Sequence, residues 1–333
     1  MAEEQKKPSS ELRFDLVSKD WVVIATGRAR RPETFAKEQR KEVEEEQKDC
    51  PFCNLETQGK PLLTYPEKNG EWSLVVIPNK FPAFVLGDSL RERAEGPYSL
   101  MDGIGFHEVV VTRDHKEHMA DFSTDKIVEV ISAYQERYLD LMNEQFVNYI
   151  AVFHNHGREA GASILHPHSQ IVGIPVTDQD LNQSLEGSRR FFEVHGKCVH
   201  CIMLDCDRED GRRIIFENEK FIVLCPFASR VAFEVRIYPK AHKAYFERIK
   251  DEDKAQLAEA FKSALAKIKN GLNDPPYNFF LHTAPCDGKN YDHYHWHFEI
   301  LPKTSIWAGF ELGAGIEIST IEPEKAAEYL RNI

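Results

Sequence analysis

The chain runs through one order of sequence elements twice, and this internal repeat constrains its fold more than any other feature. In each half, two β-branched stretches are followed by an amphipathic stretch, a further strand-like stretch and an H-x-H motif. The histidine spacing agrees, because His115 lies 51 residues before His166 and His242 lies 53 residues before His295. Such a period is too long for a solenoid. We predict an α+β fold duplicated about a pseudo-twofold axis, with an antiparallel sheet and one main helix in each copy.

The repeat divides the chain into two predicted tandem domains. The first domain covers residues 13–178 and the second covers residues 190–333. Residues 1–12 are strongly charged and polar, and we expect them to form a flexible N-terminus.

Each copy contains one stretch with the period of an amphipathic helix. In residues 123–145, apolar side chains recur every three to four positions, and Ser123 or Thr124 can cap the first turn. Residues 251–272 show the same pattern in the second copy. We predict that each of these helices packs on the sheet of its own copy.

The cysteines indicate metal binding better than disulfide bonding. There are seven of them, at positions 50, 53, 198, 201, 206, 225 and 286. An odd number in a large chain without a signal peptide does not suggest a disulfide framework. Four of them form the motifs "CPFC" and "CVHC", whose spacing is typical of zinc sites, with a redox dithiol as the alternative.

The repeat supplies two further ligand types to each cysteine pair, in the same order. A histidine follows the second strand of each copy, and the first histidine of the H-x-H motif comes last. The two predicted sets are Cys50, Cys53, His115 and His166, and Cys198, Cys201, His242 and His295. Thiolates and imidazoles suit zinc, and four protein ligands make a closed site. We predict two structural zinc sites.

The stretch "ILHPHSQIVG" places His166 and His168 two positions apart. The pair can be two metal ligands, two core residues, or one ligand beside one reactive imidazole. On a strand, both side chains would face the same side about 6.6 Å apart. A neutral imidazole held in this way is a good nucleophile toward phosphorus. In that case Gln170, on the same side, can donate a hydrogen bond to a phosphate oxygen.

Two neighbouring segments can contact a phosphate or a nucleotide. The stretch "NHGREAGAS" contains Gly157 and Gly161, and a glycine loop lets backbone N–H groups approach a phosphate, although a plain turn has the same composition. "GRARRPETF" concentrates Arg28, Arg30 and Arg31 in an acidic chain. These guanidinium groups can pair with a diphosphate, or they can form a solvated basic loop.

Net charge and hydropathy limit the classes of partner. The formal net charge is −12 and the isoelectric point is about 5.7, which argues against a nucleic-acid partner. The N-terminus has no apolar core of the kind found in signal peptides, and no apolar run reaches 18 residues. We expect a cytoplasmic protein with no membrane partner.

These motifs together resemble the galactose-1-phosphate uridylyltransferase family, the nucleotidyltransferase branch of the histidine-triad superfamily. The resemblance extends over nearly the whole chain and implies two tandem histidine-triad-like domains and a homodimer. It implies a ping-pong reaction between a nucleotide sugar and a hexose 1-phosphate through a covalent nucleotidyl-His168, with UDP-glucose and galactose 1-phosphate as substrates. Gln170 would assist His168 in catalysis.

The resemblance also implies a set of substrate contacts. These residues match the family's motif positions for the nucleotide: Arg28, Ala29, Arg30, Arg31, Asn79, Asn155, Gly161, Ala162, Ser163 and Gln170. For the hexose, Phe310 and Glu311 match an aromatic–Glu pair. The first predicted zinc site matches the family's ligands as well.

Some residues depart from the pattern of the uridylyltransferases. Ser169 stands where these enzymes commonly have glycine, Phe310 replaces a tyrosine, and "SIWAG" replaces basic and aromatic residues. The "GFELGAG" tail and the second C-x-x-C motif look more like plant ADP-glucose phosphorylase-type members, which transfer adenylyl groups and use phosphate as acceptor. In the second H-x-H motif, His297 lacks the Ser-Gln sequence that follows His168, so we expect a degenerate copy, with His282 near the same pocket.

Three other functions compete with uridylyl transfer. The first is an ADP-glucose phosphorylase or adenylyltransferase that uses the same histidine. A dinucleotide hydrolase would let water take the nucleotidyl group from His168. A zinc-binding module without catalysis would explain the cysteines but would leave His168 and Gln170 without a role.

Overall fold

The structure is a computed structural model that describes residues 10–28, 35, 46–66 and 70–333. Its strands are β1 (Glu11–Phe14), β2 (Trp21–Ile24), β3 (Leu63–Pro66), β4 (Trp72–Pro78), β5 (Glu92–Glu95), β6 (Tyr98–Met101), β7 (Phe106–Thr112), β8 (Tyr149–His156), β9 (His168–Ile174), β10 (Ile214–Glu217), β11 (Phe221–Leu224), β12 (Val235–Pro239), β13 (Tyr277–His282), β14 (His297–Pro302) and β15 (Ile318–Ser319). The α-helices of the described ranges are α1 (Thr124–Leu141), α2 (Gln179–His195), α3 (Val199–Asp210), α4 (Asp251–Leu272), α5 (Gly309–Ala314) and α6 (Pro323–Arg331).

Ten of these strands form one antiparallel sheet in the order β10-β11-β12-β14-β13-β8-β9-β7-β4-β3. Each repeat contributes one half of the sheet. The halves meet where β8 pairs with β13, with Phe153 opposite Phe280 and His156 opposite Tyr277. The predicted α+β class and antiparallel pairing are confirmed, and the two sheets expected of the duplication are continuous with each other.

The two main helices pack against each other and against one face of this sheet. Helix α1 begins after Ser123, whose hydroxyl accepts a hydrogen bond from the Lys126 N–H at 3.2 Å, as the sequence predicted. Helix α4 covers the predicted residues 251–272. Tyr134 and Phe261 are fully buried between the helices and the strands. Burying large apolar side chains of this kind contributes about 1.5–3 kcal/mol each.

The opposite face of the sheet carries the candidate site, because successive side chains on a strand point to opposite faces. On β9, Ile171 belongs to the core under the helices, and Ser169 faces the same way. His168 and Gln170 therefore face away from α1 and α4.

Several elements outside the repeat were not predicted. Helix α2 covers the residues between the two predicted domains and extends into the second domain, where α3 lies, and Cys198 is the N-cap of α3. Strand β1 begins at Glu11, within the predicted flexible N-terminus, whose residues 1–9 lie outside the described ranges. β1 joins β2 and β15 in a separate three-stranded sheet. The domain boundaries remain a prediction.

In the described part of the chain, every helix is too short or too polar to cross a membrane.

Candidate active site

The first predicted ligand set comes together in the structure. The ligand atoms of Cys50, Cys53, His115 and His166 all lie within 4.8 Å of one another. The Nδ1 of His166 is 3.5 Å from the sulfur of Cys50, 3.4 Å from that of Cys53, and 3.2 Å from the Nδ1 of His115. The chain thus gathers residues more than 100 positions apart into one group of two sulfurs and two nitrogens.

The second predicted set has the same arrangement. The ligand atoms of Cys198, Cys201, His242 and His295 also lie within 4.8 Å of one another. The sulfur of Cys201 is 3.4 Å from the Nδ1 of His242 and 3.5 Å from that of His295. The two groups occupy equivalent places in the two halves of the sheet.

Both groups fit a tetrahedral metal ion in the distances between their ligand atoms and in the histidine nitrogens that carry protons. Bonds of about 2.3 Å to sulfur and 2.0–2.1 Å to nitrogen place neighbouring ligand atoms roughly 3.3–3.8 Å apart in a tetrahedron. His166 donates its Nε2–H to the Thr112 carbonyl at 2.7 Å, and His295 donates to the Pro239 carbonyl at 2.9 Å. Each Nδ1 lone pair therefore faces the cysteines, as metal ligation requires.

His168 is the first residue of β9, and its ring is held in one tautomer. Its Nδ1 is 2.9 Å from the carbonyl oxygen of His166. A carbonyl only accepts hydrogen bonds, so Nδ1 carries the proton and Nε2 keeps its lone pair. Burial lowers the pKa of His168, which favours the neutral, nucleophilic form. The ring of Phe52, between the two cysteines of the first group, lies 5.0 Å from the His168 ring.

One detail of the H-x-H prediction is wrong. His166 does not share a strand face with His168, because β9 begins only at His168. Pro167 between them has no N–H to donate to a strand ladder. His166 instead turns into the cysteine group and is fully buried, while its carbonyl orients the His168 ring.

The helix-side face behind His168 carries a buried polar group. Ser169 Oγ lies 2.5 Å from the Tyr134 hydroxyl and 3.1 Å from Nδ1 of His154. Ser169 and His154 are at most 5% exposed, and Tyr134 is fully buried. Burial lowers the pKa of His154 well below its ordinary value, so its ring is neutral. The hydroxyl of Ser169 thus ties the strand of His168 to helix α1.

Gln170 contacts a side chain that the sequence analysis left unassigned. Its Oε1 lies 2.7 Å from the Nε2 of His107, on the neighbouring strand β7. The same nitrogen of His107 is 3.1 Å from the Nδ2 of Asn79. Asn79 Oδ1 accepts a hydrogen bond from the Phe81 N–H at 2.9 Å. The predicted residues Asn79 and Gln170 thus both lie beside His107.

Asn155 lies at the end of β8, beside the glycine loop and opposite Asn278 of β13. Asn278 Nδ2 donates to the Asn155 Oδ1 at 2.7 Å and to the Ala160 carbonyl at 2.7 Å. Ser169 pairs with His154, and continuing this register by one residue places Asn155 beside His168. The second half of the chain therefore helps to build the surroundings of the reactive histidine.

Three backbone N–H groups of the glycine loop are already paired within the loop. The N–H groups of Ala160 and Ala162 donate to the Gly157 carbonyl, and that of Gly161 donates to the Arg158 carbonyl. These bonds close a 3-10 turn, so the three N–H groups serve the loop itself. Of the predicted residues in this loop, Ala162 is buried, whereas Gly161 and Ser163 are exposed.

The second H-x-H motif has a different environment. His297 is 4% exposed, and its ring stacks on Tyr238 and His282 with centroids 4.6 and 4.9 Å away. Ligand-type atoms of His282, His297 and Glu299 lie within 4.8 Å of one another. Glu299 is also 3.4 Å from the guanidinium group of Arg236. The degenerate role of His297 remains a prediction.

Comparison with known proteins places this geometry in a family. The sequence profile of the galactose-1-phosphate uridyl transferase N-terminal domain matches residues 1–207. The profile of the C-terminal domain matches residues 185–333. The chain belongs to this family.

Relatives within the family differ in their activities. An ADP-glucose phosphorylase of Arabidopsis thaliana is 34% identical over 98% of this chain and 93% of its own length. A galactose-1-phosphate uridylyltransferase of Thermotoga maritima is 30% identical over 96% of this chain and 98% of its own length.

Solved structures of the family have the same fold. The crystal structure of an Arabidopsis thaliana ADP-glucose phosphorylase with bound ADP-glucose covers 98% of this chain and 99% of that chain, with a TM-score of 0.82 and 31% identity. A structure described as uridylyltransferase covers 97% of both chains, with a TM-score of 0.74 and 28% identity. Family membership makes the chain a relative of nucleotidyl-transferring and phosphorolytic enzymes.

Two further groups of predicted substrate contacts are the arginine-rich segment and the aromatic–Glu pair on α5. Arg28 ends a short 3-10 turn, and predicted residues Ala29, Arg30 and Arg31 lie outside the described ranges. Phe310 and Glu311 lie on α5, where the ring of Phe310 is 53% exposed. The carboxylate of Glu311 accepts a local hydrogen bond from the Ala308 N–H at 3.1 Å.

The residues that the sequence analysis missed are Phe52, His107 and Asn278. Phe52 could have been noticed as the apolar residue inside "CPFC", next to a site that needs shielding from water. His107 is the second residue of a β-branched strand, on the same face as Val109 and Val111, a pattern that period-2 counting reveals. Asn278 gave no local signal, because its importance comes from pairing with β8 across the repeat.

Proposed function

We propose that the chain is a nucleotidyltransferase that forms a covalent nucleotidyl-His168 intermediate from a nucleoside-diphosphate sugar. The observation that carries this proposal is the hydrogen bond from His168 Nδ1–H to the His166 carbonyl at 2.9 Å. It leaves the Nε2 lone pair available in a partly buried site. The surrounding amide side chains suit a phosphate group.

The reaction takes two displacements at the α-phosphorus. In the first, His168 Nε2 attacks, a P–N bond forms, and the bond to the bridging oxygen breaks to release the sugar 1-phosphate. In the second, an oxygen of the acceptor attacks the same phosphorus, and the P–N bond breaks to return neutral His168. Gln170 and Asn155 donate hydrogen bonds to the non-bridging oxygens, which gain charge in each transition state.

In this proposal, zinc is the ion held by each Cys₂His₂ group. The first group fixes His166, whose carbonyl orients His168, so its effect on the reaction is structural. The second group fixes His295 in the equivalent position of the other half. A bound zinc ion supplies folding energy at such closed sites.

For the substrates, we propose ADP-glucose as the donor and phosphate as the acceptor. The higher identity to the phosphorylase and the higher TM-score of its ADP-glucose complex support this choice. The second candidate is transfer of a uridylyl group from UDP-glucose to galactose 1-phosphate, supported by the Thermotoga maritima relative and by the family profiles.

A homodimer is also proposed. Helix α5 and the residues before it expose a group of large apolar side chains, namely Ile306, Trp307, Phe310 and Leu312. Exposed apolar patches are typical of protein–protein contacts. A second subunit that covers this surface would also give Phe310 and Glu311 a place near a substrate. The cytoplasmic location remains a prediction from the sequence.

A nucleotide-labelling experiment tests the proposed function. The protein is incubated with ADP-glucose or UDP-glucose labelled in the nucleotide, quenched, and examined for an acid-labile protein adduct. We expect an adduct at His168 with ADP-glucose, released as ADP by phosphate. Release as a nucleotide sugar by galactose 1-phosphate would favour the second candidate. Absence of an adduct with both donors would contradict the covalent mechanism.

A further inference from the structure

The two amide side chains beside His168 can each face a phosphate with either of two chemically opposite ends. The oxygen of an amide accepts hydrogen bonds and its NH₂ group donates them, whereas the non-bridging oxygens of a phosphate diester only accept. Gln170 and Asn155 therefore help a phosphate only if their NH₂ groups face it. Contacts behind each side chain determine which end this is.

Gln170 is oriented by His107 and one main-chain group. The Ala83 N–H donates to His107 Nδ1 at 3.1 Å, so that nitrogen is the unprotonated one. The proton of the neutral ring is then on Nε2, which donates to Gln170 Oε1 at 2.7 Å. With its oxygen occupied by His107, Gln170 directs its NH₂ group away from β7. In this tautomer Nε2 of His107 carries a proton, so the Asn79 Nδ2 that lies 3.1 Å away donates no hydrogen bond to it.

Asn155 is oriented by Asn278 in an equivalent way. The Ala160 carbonyl can only accept, so the atom of Asn278 that lies 2.7 Å from it is the nitrogen. The second hydrogen of this NH₂ group is donated to Asn155 Oδ1, also at 2.7 Å. The Asn155 NH₂ group then lies on the side of Gly161, where a Cβ on the glycine would be 3.8 Å from it.

We propose that His107 and Asn278 are positioning residues that hold the NH₂ groups of Gln170 and Asn155 toward the α-phosphate. This inference rests on the proposed nucleotidyl transfer to His168. Each positioning residue is itself fixed by a main-chain group, so neither amide can rotate without leaving a hydrogen-bonding group unpaired. Both amides thereby present donors to the phosphate, which suits the extra charge on the phosphate oxygens in the transition state.

The first test measures single-turnover formation of the labelled adduct in His107→Phe and Asn278→Leu, which keep side-chain size but lack the donor. We expect the rate to fall about 10–100-fold in each variant, less than the roughly 10²–10³-fold loss from deleting a transition-state donor outright, because the amide itself remains. The KM for the donor sugar should change less than about 3-fold, because the lost contact strengthens in the transition state. Melting temperature and zinc content report folding. Rates within twofold of the wild type would overturn the proposal.

The second test asks whether each residue acts through its amide partner. In a Gln170→Ala background, His107→Phe should lower the rate of adduct formation by less than about 3-fold. In an Asn155→Ala background, Asn278→Leu should likewise lower this rate by less than about 3-fold. The crossed pairs, His107→Phe with Asn155→Ala and Asn278→Leu with Gln170→Ala, are the controls. In each crossed pair the rate losses of the two single variants should multiply. Equal losses in matched and crossed backgrounds would mean that the residues act on folding alone, and would overturn the proposal.

Imidazole rescue covers the case in which a substituted protein folds poorly. His107→Ala leaves space for an added imidazole, which can accept from Ala83 and donate to Gln170. We expect a saturable increase in the adduct rate with imidazole, and none in His107→Ala with Gln170→Ala. Lack of rescue in a folded His107→Ala protein would contradict the positioning role of His107 but not the proposed function. Absence of an adduct in the wild type would contradict the proposed nucleotidyl transfer itself.

Discussion

At the scale of single residues, His166 and His168 have different duties although their side chains are chemically identical. The difference comes from the ring nitrogen that each residue presents. His166 uses Nε2 to donate to Thr112 and turns Nδ1 toward the cysteines. His168 uses Nδ1 to donate to the His166 carbonyl and keeps Nε2 available. A single main-chain carbonyl thus connects the metal group with the proposed nucleophile.

Replacing the proposed nucleophile should stop the reaction without affecting the fold. In His168→Asn we expect loss of the adduct and a decrease in turnover of at least ~10⁴-fold, as for removal of other catalytic nucleophiles. Zinc content and melting temperature should match the wild type, because His168 is not in the Cys₂His₂ group. An adduct of undiminished yield in this variant would show that another residue is the nucleophile.

Replacing the neighbouring histidine should have the opposite signature. In His166→Asn we expect about one zinc ion less per chain, measured by atomic absorption, and a lower melting temperature, because one ligand of a closed site is lost. Burial lowers the pKa of His166 to about 4, so it is neutral and able to bind metal at physiological pH. His295→Asn is the matched change at the second group. Unchanged zinc content in both variants would refute the ligand assignment.

At the scale of elements, the turn between β8 and β9 decides where the site residues lie. Gly157 starts this turn with φ of 81° and ψ of 155°, a conformation that is essentially restricted to glycine. A Cβ at this position would also be 3.0 Å from the Cβ of Pro276. The close approach lets the turn pack against the segment before β13, where Asn278 binds Ala160.

A methyl group at Gly157 should therefore affect stability and activity together. For Gly157→Ala we expect a loss of about 2–3 kcal/mol in unfolding free energy, from backbone strain and crowding. Adduct formation should slow as well, because the turn carries Asn155 and Ala160. Gly196→Ala is the control, since Gly196 has φ of 66° with nothing within 4 Å of a Cβ. For Gly196→Ala, denaturant unfolding should show a loss of about 1–2 kcal/mol in unfolding free energy, with normal activity. Equal losses of activity in Gly157→Ala and Gly196→Ala would contradict this role of the turn.

At the scale of the whole molecule, two features connect the halves and the chain ends. The pairing of β8 with β13 makes one ten-stranded sheet from the two repeats. Near the chain ends, Glu324 on α6 accepts hydrogen bonds from Arg13 at 3.0 Å and from Arg213 at 2.8 Å. Strand β1, the loop before β10 and helix α6 are thereby joined around one carboxylate.

This carboxylate should make stability depend on pH in the acid range. Burial raises the pKa of Glu324, but the hydrogen bonds from Arg13 and Arg213 outweigh it and lower the pKa to about 2. Because the folded pKa lies below the unfolded value of about 4.3, the stabilisation is complete above roughly pH 5 and is lost as pH falls toward 2. We expect Glu324→Gln to lower the free energy of unfolding by about 1–3 kcal/mol at pH 7, and by progressively less below pH 4.5.

Urea unfolding at several pH values measures this difference. Glu252→Gln is the control, because its ion pair with Lys250 has side chains that are 73% and 69% exposed. Exposed pairs contribute little, so its unfolding free energy should follow the wild type at each pH. A Glu324→Gln deficit that stays constant from pH 7 to pH 3 would contradict the role of the charge.

Much of the fold was predictable because it follows from local patterns. The helical period gave α4 with its bounds and α1 to within a few residues, and the strand patterns located β7, β8 and β13 closely. Helices α2 and α3 were not predicted, because the predicted elements were those whose patterns recur in both halves. The predicted strand of residues 163–176 begins only at His168, since Pro167 cannot donate to the ladder.

The sequence by itself determined the duplication, the α+β class, the two Cys₂His₂ sets and the family, because these depend on residue types and their order along the chain. Tertiary structure alone decided the joining of the two sheets and which site atoms donate or accept hydrogen bonds. Which nitrogen of His168 is free, and which end of Gln170 or Asn155 faces the pocket, depends on main-chain groups at His166, Ala83 and Ala160. Hydrogen bonds have direction, and direction is set only when distant segments meet.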